Sequence, residues 1–255
     1  MTDFHVHIGQ YENTYFYPHR VFSALKMSGV DEAWFSSTTS CIYCKESDAA
    51  NRDPLLCSRA PSAVFLYENI RDEIKCALTA SEKLDFKVHP LFWVVPEVMF
   101  AGVGLDTVMG ELNYDGFKIH TFAQNWNMLK EKNYNLVDSI FYFAQKHKKR
   151  ILIHTGCEEK DSPRKFESFI RKYSSVKVQL AHCRNYYDLN YMLEKYDNVF
   201  VDCSASCNSV VSNLRDKFGT DKVLFGSDFP VLDKYSKDPT VKELSRNYNK
   251  YKSDL

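Results

Sequence analysis

The feature that most limits how this chain can fold is a rhythm of eight short β-rich runs set between longer stretches with helical spacing. The runs are Thr2–Ile8, Glu32–Ser37, Val88–Val95, Gly116–Thr121, Arg150–Thr155, Lys177–Cys183, Val199–Ser204 and Lys222–Asp228. Several are continuously apolar, as in Phe92-Trp93-Val94-Val95, Ile151-Leu152-Ile153 and Val199-Phe200-Val201. Unbroken apolarity suits parallel strands covered on both faces. Between them, Tyr134–Lys146 carries Leu136, Val137, Ile140, Phe141, Phe143 and Ala144 as a broad helical stripe. Shorter stripes run through Lys165–Tyr173, Leu189–Tyr196 and Val210–Phe218, with Ser162-Pro163 as a helix start and Gly219 as a stop.

Strand and helix in alternation imply a parallel α/β sheet. Eight such units in 255 residues, 44% of them hydrophobic, predict a single (β/α)8 TIM barrel rather than an open sheet. No linker divides the chain, so residues 1–255 are expected to form one domain. Two segments depart from the rhythm. Thr38–Ser62 is a polar, Cys-bearing insertion after the second strand, on the side where βα-loops build active sites; Lys234–Leu255 is a poor last helix or a frayed tail.

The histidines fall at the ends of the runs. His5-Val6-His7 closes the first, and His120, His154 and His182 follow Phe117-Lys118-Ile119, Ile151-Leu152-Ile153 and Gln179-Leu180-Ala181. Asp228 follows Val223-Leu224-Phe225-Gly226-Ser227. In a parallel barrel those ends converge on one face. Alternation along a strand sends His5 and His7 the same way, about 7 Å apart, so both can reach one ion. Imidazole suits zinc and its first-row neighbours, and a carboxylate completes the charge. Each element alone has a plain structural reading; five in order predict a divalent-metal site.

Taken as an ordered set, Asp3-Phe4-His5-Val6-His7, Gly116-Phe117-Lys118-Ile119-His120, Ile153-His154-Thr155-Gly156, Leu180-Ala181-His182 and Gly226-Ser227-Asp228-Phe229-Pro230 resemble the amidohydrolase superfamily. The likeness is to its amidohydrolase-2 branch of compact single-metal barrels, which holds hydrolases, decarboxylases and hydratases. The resemblance implies His5, His7, His154 and Asp228 as metal ligands, Asp228 also as the acid–base group, and His182 as the residue that polarises substrate or assists proton transfer. The expected reaction is hydrolysis of an amide, ester or lactone in a small polar or carboxylated molecule by ion-activated water. Non-oxidative decarboxylation or hydration is the alternative; a catalytically inactive ligand-binding barrel is the reading from another class. One ion, zinc first, is expected. Two are expected if Lys118 is carboxylated as a bridge, with His154 and His182 on the second ion; otherwise Lys118 and His120 bind substrate.

Other residues carry weaker readings. Cys41, Cys44 and Cys57 form a structural metal site, a reversible disulfide or plain loop thiols. Cys203 and Cys207 are expected to pack in the barrel, and Cys183 to point away from His182. His19 and His147 are expected at the surface and His89 at the opposite barrel mouth. Asp202 either pairs with a neighbouring strand or supports the site; Trp34, Trp93 and Trp126 pack or line the pocket. Lys plus Arg equals Asp plus Glu at 33 each, which argues against nucleic acid and acidic membranes as partners. With no apolar span and no signal-like start, a cytoplasmic enzyme with a small-molecule substrate is expected, and the resemblance adds a homodimer.

Overall fold

The computed structural model describes residues 1–11, 14–42, 62–124 and 126–231. Cys44, Cys57, most of the predicted insertion and the segment 234–255 lie outside the described residues. The strands are β1 (Thr2–Tyr11), β2 (Thr14–Phe16), β3 (Glu32–Ser37), β4 (Lys87–Trp93), β5 (Gly116–Ile119), β6 (Arg150–His154), β7 (Val178–Ala181), β8 (Val199–Asp202) and β9 (Val223–Leu224). They form one sheet in the order β2-β1-β3-β4-β5-β6-β7-β8-β9. Among the described residues only the β1–β2 pair is antiparallel; every other pair is parallel.

The crossovers are helical: α1 (Pro18–Met27), α2 (Ala63–Leu84), α3 (Pro96–Phe100), α4 (Leu105–Glu111), α5 (Glu131–His147), α6 (Glu167–Lys172), α7 (Tyr186–Lys195) and α8 (Asn208–Phe218). The Ser62 hydroxyl accepts from Phe65 N to cap α2, and Pro18 opens α1 where a missing N–H costs nothing. Apolar helix faces pack on the outer face of the sheet around Val6, Phe35, Phe117, Ile151, Ile153 and Val201. No helix among the described residues is long and apolar enough to cross a membrane.

The last strand differs from the sequence expectation of Lys222–Asp228. Regular pairing stops at Leu224, and the chain turns to bond with β1 instead. Phe4 N donates to Phe225 O at 2.9 Å, Asp228 N to His5 O at 2.7 Å and His7 N to Phe229 O at 2.8 Å, with a parallel bridge between Val6 and Phe229. These bonds bring the sheet's far end back to its first parallel strand. The fold is a curled parallel α/β sheet of the barrel type.

Alternation along the strands sorts the interior into layers. On β6, Arg150 lines a cavity at the N-terminal mouth, Leu152 joins Leu91 and Ala181 in the middle, and His154 lines the C-terminal mouth. On β1 the register slips between Asp3 and Val6. That irregularity lets Phe4 face the lower cavity while His5, its neighbour, faces the upper one.

Candidate active site

The C-terminal mouth holds a cavity of about 700 Å³ lined by His5, His7, Lys118, His120, His154, His182 and Asp228. All seven residues singled out from the sequence therefore meet in one place. At its floor His7 Nε2 lies 3.2 Å from His5 Nε2 and 2.8 Å from Asp228 Oδ1, while His5 Nε2 is 3.5 Å from the same oxygen. Donors about 2.0–2.2 Å from one ion sit roughly 3 Å apart, so these three fit a shared divalent cation.

Two of the key side chains owe their aim to unusual backbone. His182 and Asp228 have φ of 67° and 55°, in the left-handed region that is costly for residues with a Cβ. Strict alternation would turn His182 away from the face of Gln179 and Ala181; the positive φ turns it back. The Asp228 turn also depends on Gly226. A Cβ there would lie 2.9 Å from Asp202 Cβ and 3.0 Å from His5 Cβ. Asp3 ties the same turn down, accepting from Ser227 Oγ at 2.6 Å, Ser227 N at 3.0 Å and His5 N at 3.1 Å. Burial pushes its carboxyl up to about 7 against the pull of those donors.

Asp202, left open by the sequence, is the hub behind the site. Its Oδ2 lies 3.1 Å from His5 Nδ1 and accepts from Gln179 Nε2 at 2.8 Å. Its Oδ1 accepts from the backbone N–H of His182 and Ser204 and from the Ser204 hydroxyl. An ionised carboxylate only accepts, so His5 carries its proton on Nδ1 and turns the Nε2 lone pair to the floor. The Ser204 hydroxyl donates to Asp202, so it accepts from His182 Nδ1 at 2.7 Å, which likewise frees His182 Nε2. His7 Nδ1 is flanked by the Ser36 carbonyl and hydroxyl at 3.4 and 3.2 Å, so a proton there also has an acceptor.

Charge at the floor is balanced by these contacts. Burial alone would raise the Asp228 carboxyl, but His5, His7 and His182 outweigh it and hold it well below the usual range. Asp202 is held down in the same way, burial being overcome by His5, His182 and Ser204. Burial lowers His182 to about 3 and, opposed by Asp228, His7 to about 4. Lys118 Nζ lies 2.8 Å from His5 Nε2, and burial lowers it to about 8 against the pull of Asp228 and Asp202.

His154 departs from the expected ligand set. The ligand-type clusters among the described residues are His5–His7–Asp228 and His5–His182–Asp202, and neither includes it. Its Nδ1 lies 3.0 Å from His182 Nε2, and its ring stacks on His120 at 3.7 Å between centroids. The second cluster meets at His5 Nδ1, a position already bonded, so it buttresses the first. His120 Nδ1 accepts from Ala123 N at 3.1 Å, which places the ring proton on Nε2 and makes the ring a donor. Its outer face stacks on Trp93 at 5.4 Å.

Sequence reasoning also passed over Arg184, two residues beyond His182, whose guanidinium lines the cavity with no hydrogen-bond or ion-pair partner among the described residues. Trp34 belongs to the opposite mouth rather than this pocket, and Trp126 is buried outside the lining. Cys207 is exposed, unlike buried Cys203, because the chain has left β8 before reaching it. Cys183 is buried and donates to Asp202 O; Cys41 lines the cavity. His89 lies at the other mouth, as expected.

The family model described as amidohydrolase (Amidohydro_2) matches residues 85–245. The chain belongs to the amidohydrolase family. No curated protein sequence matches it. Among solved structures it is similar to 5-carboxyvanillate decarboxylase from Novosphingobium aromaticivorans, solved with manganese and 3-methoxy-4-hydroxy-5-nitrobenzoic acid: 15% identity, 89% of this chain and 73% of that one, TM-score 0.56. It is also similar to 2,6-dihydroxybenzoate decarboxylase from Rhizobium, at 10% identity, 97% and 98% coverage and TM-score 0.56. A TIM-barrel protein from Bordetella bronchiseptica matches at 11% identity, 99% and 98% coverage and TM-score 0.59. At such identities the likeness establishes the barrel fold. For this amidohydrolase the expectation of hydrolysis has less behind it than the alternative of decarboxylation, and nothing singles out zinc.

Proposed function

We propose that this amidohydrolase is a metal-dependent, non-oxidative decarboxylase of a small, flat, carboxylated molecule, with the whole barrel acting as one catalytic domain. The observation that carries the reading is the pairing of a convergent His5–His7–Asp228 donor set with two cations in the same cavity, Lys118 and Arg184. The donor set fits a divalent ion in number, charge and spacing, and Asp202 and Ser36 orient its imidazoles from behind. His154 and His182 stand beside it as further donors. When bound, the ion supplies a Lewis acid that draws electron density from a substrate oxygen.

The chain's own residues do the rest. Arg184 and Lys118 hold carboxylate, and the flat faces of Trp93 and His120 hold a ring. His120 offers its Nε2–H to a ring substituent. The bond from the ring carbon to its carboxylate breaks, CO2 leaves, and the carbon takes a proton. Asp228 and His182, which flank the floor, are placed to carry that proton. The two decarboxylases of similar fold support this reading.

Hydrolysis is the second reading, favoured by one observation. Asp228 Oδ1 lies at the floor beside His5 and His7, within reach of a water held between them. Purified protein, stripped of metal and reloaded with manganese or zinc, should be assayed for CO2 release from 2,6-dihydroxybenzoate, 5-carboxyvanillate and related acids. Metal-dependent release from any of them supports the proposal. Turnover confined to esters, amides or lactones would replace it with hydrolysis.

A further inference from the structure

We propose that the N-terminal mouth of the barrel, opposite the candidate active site, binds a small oxyanion on the free edge of Arg150. A cavity of about 880 Å³ opens there, lined among others by Phe4, Trp34, Arg150, Lys148, Lys149 and Lys177. The Arg150 guanidinium lies within 4.8 Å of the Phe4 ring centroid, 5.0 Å of Trp34 and 5.6 Å of Phe200. Aromatic rings engage a guanidinium through its π face and leave the N–H edge unused. None of its donors has an acceptor among the described residues, and Nη1 is sealed from solvent without a partner. The other two nitrogens keep access to the cavity.

Among the described residues no carboxylate at this mouth is left to neutralise that charge. Asp115 Oδ2 lies 2.6 Å from His89 Nδ1, and Glu32 is shared between His89 Nε2 and Lys87 Nζ, the latter at 2.9 Å. The ammonium groups of Lys148, Lys149 and Lys177 have no hydrogen-bond partner among the described residues either. Burial drags Arg150 down to about 10, with no charge among the described residues to oppose it. A half-buried cation without a counter-ion among the described residues is a standing cost to a fold, and an apolar side chain of similar length would avoid it. A fork of free N–H groups in a cavity also lined by three lysines matches the bidentate geometry of a carboxylate or phosphate group. The inference is independent of the metal and of the reaction at the other mouth.

The test follows the full-length protein's melting temperature and Trp fluorescence as inorganic phosphate or malonate is added at constant ionic strength. At tenfold excess over its dissociation constant either anion should raise the melting temperature by on the order of 3 °C. The anion that binds more tightly identifies phosphate or carboxylate as the ligand chemistry. Arg150→Met should lose the shift, while Asp228→Asn, at the other mouth, should keep it. Should Arg150→Met not fold, the double variant Lys149→Met/Lys177→Met carries the test, with binding about tenfold weaker expected. The proposal is overturned if neither anion shifts the wild type, if Arg150→Met or the double variant responds as wild type does, or if Asp228→Asn abolishes the response.

Discussion

Three residues lie between Arg150 and His154 on β6, both side chains face the barrel interior, and each ends at a different mouth. At the C-terminal mouth the groups at the floor have specified partners: Asp202 holds His5, Asp228 faces His7, and Ser204 links His182 back to Asp202. At the N-terminal mouth aromatic rings flank a cation that no carboxylate among the described residues neutralises. The contrast teaches how a barrel divides labour. Strand ends that feed βα-loops can spend backbone strain on aiming ligands, as at His182 and Asp228. The start of β6 keeps regular pairing, and its inward residue Arg150 serves packing and charge.

If the two mouths are separate devices, changes at one should leave the other's property intact. Asp228→Asn should have the largest effect. It removes the only carboxylate in the His5–His7 donor set, so turnover should fall on the order of a thousandfold and bound metal should drop in elemental analysis. Melting temperature should hold; collapse of the fold would mean that the turn, rather than the chemistry, depends on Asp228.

Asp202→Asn tests the hub. With its charge gone, His5 loses the acceptor that fixes its proton on Nδ1, and metal affinity should weaken by about 10–100-fold in a chelator competition. An unchanged affinity would show that Asp202 only braces the strands. Arg184→Met should act on substrate alone: KM up by about tenfold for a carboxylated substrate with kcat nearly unchanged. An equal KM change for an uncharged substrate would refute a carboxylate clamp.

The smallest effect belongs to the N-terminal mouth. Burial lowers His89, but Asp115 and Glu32 outweigh it and raise its pKa above the ordinary value. Protonated His89 therefore favours the folded state. Its contribution is complete below the unfolded pKa of about 6.5 and is lost as pH rises through the higher folded value. Partial exposure limits it to about 1 kcal/mol or less. Denaturant melts of wild type and His89→Gln across that range should converge at high pH. A gap that widens with pH would reverse the sign.

The sequence by itself determined the alternation of strand and helix, the bounds of β3, the inward parity of His5 and His7, and the gathering of five histidines and Asp228 at one mouth. These follow from local periodicity, because a pleated strand has a two-residue repeat and parallel strands share an end. The tertiary structure decided what periodicity cannot carry. Left-handed backbone at His182 and Asp228 overrides parity where the strands stop, and the slip in β1 puts neighbours Phe4 and His5 in different cavities. Asp202 anchors His5 across 197 residues of chain, and His154 turns to His182 instead of joining His5, His7 and Asp228. Such contacts depend on which residues the closed sheet brings face to face, and no short window of sequence contains both partners.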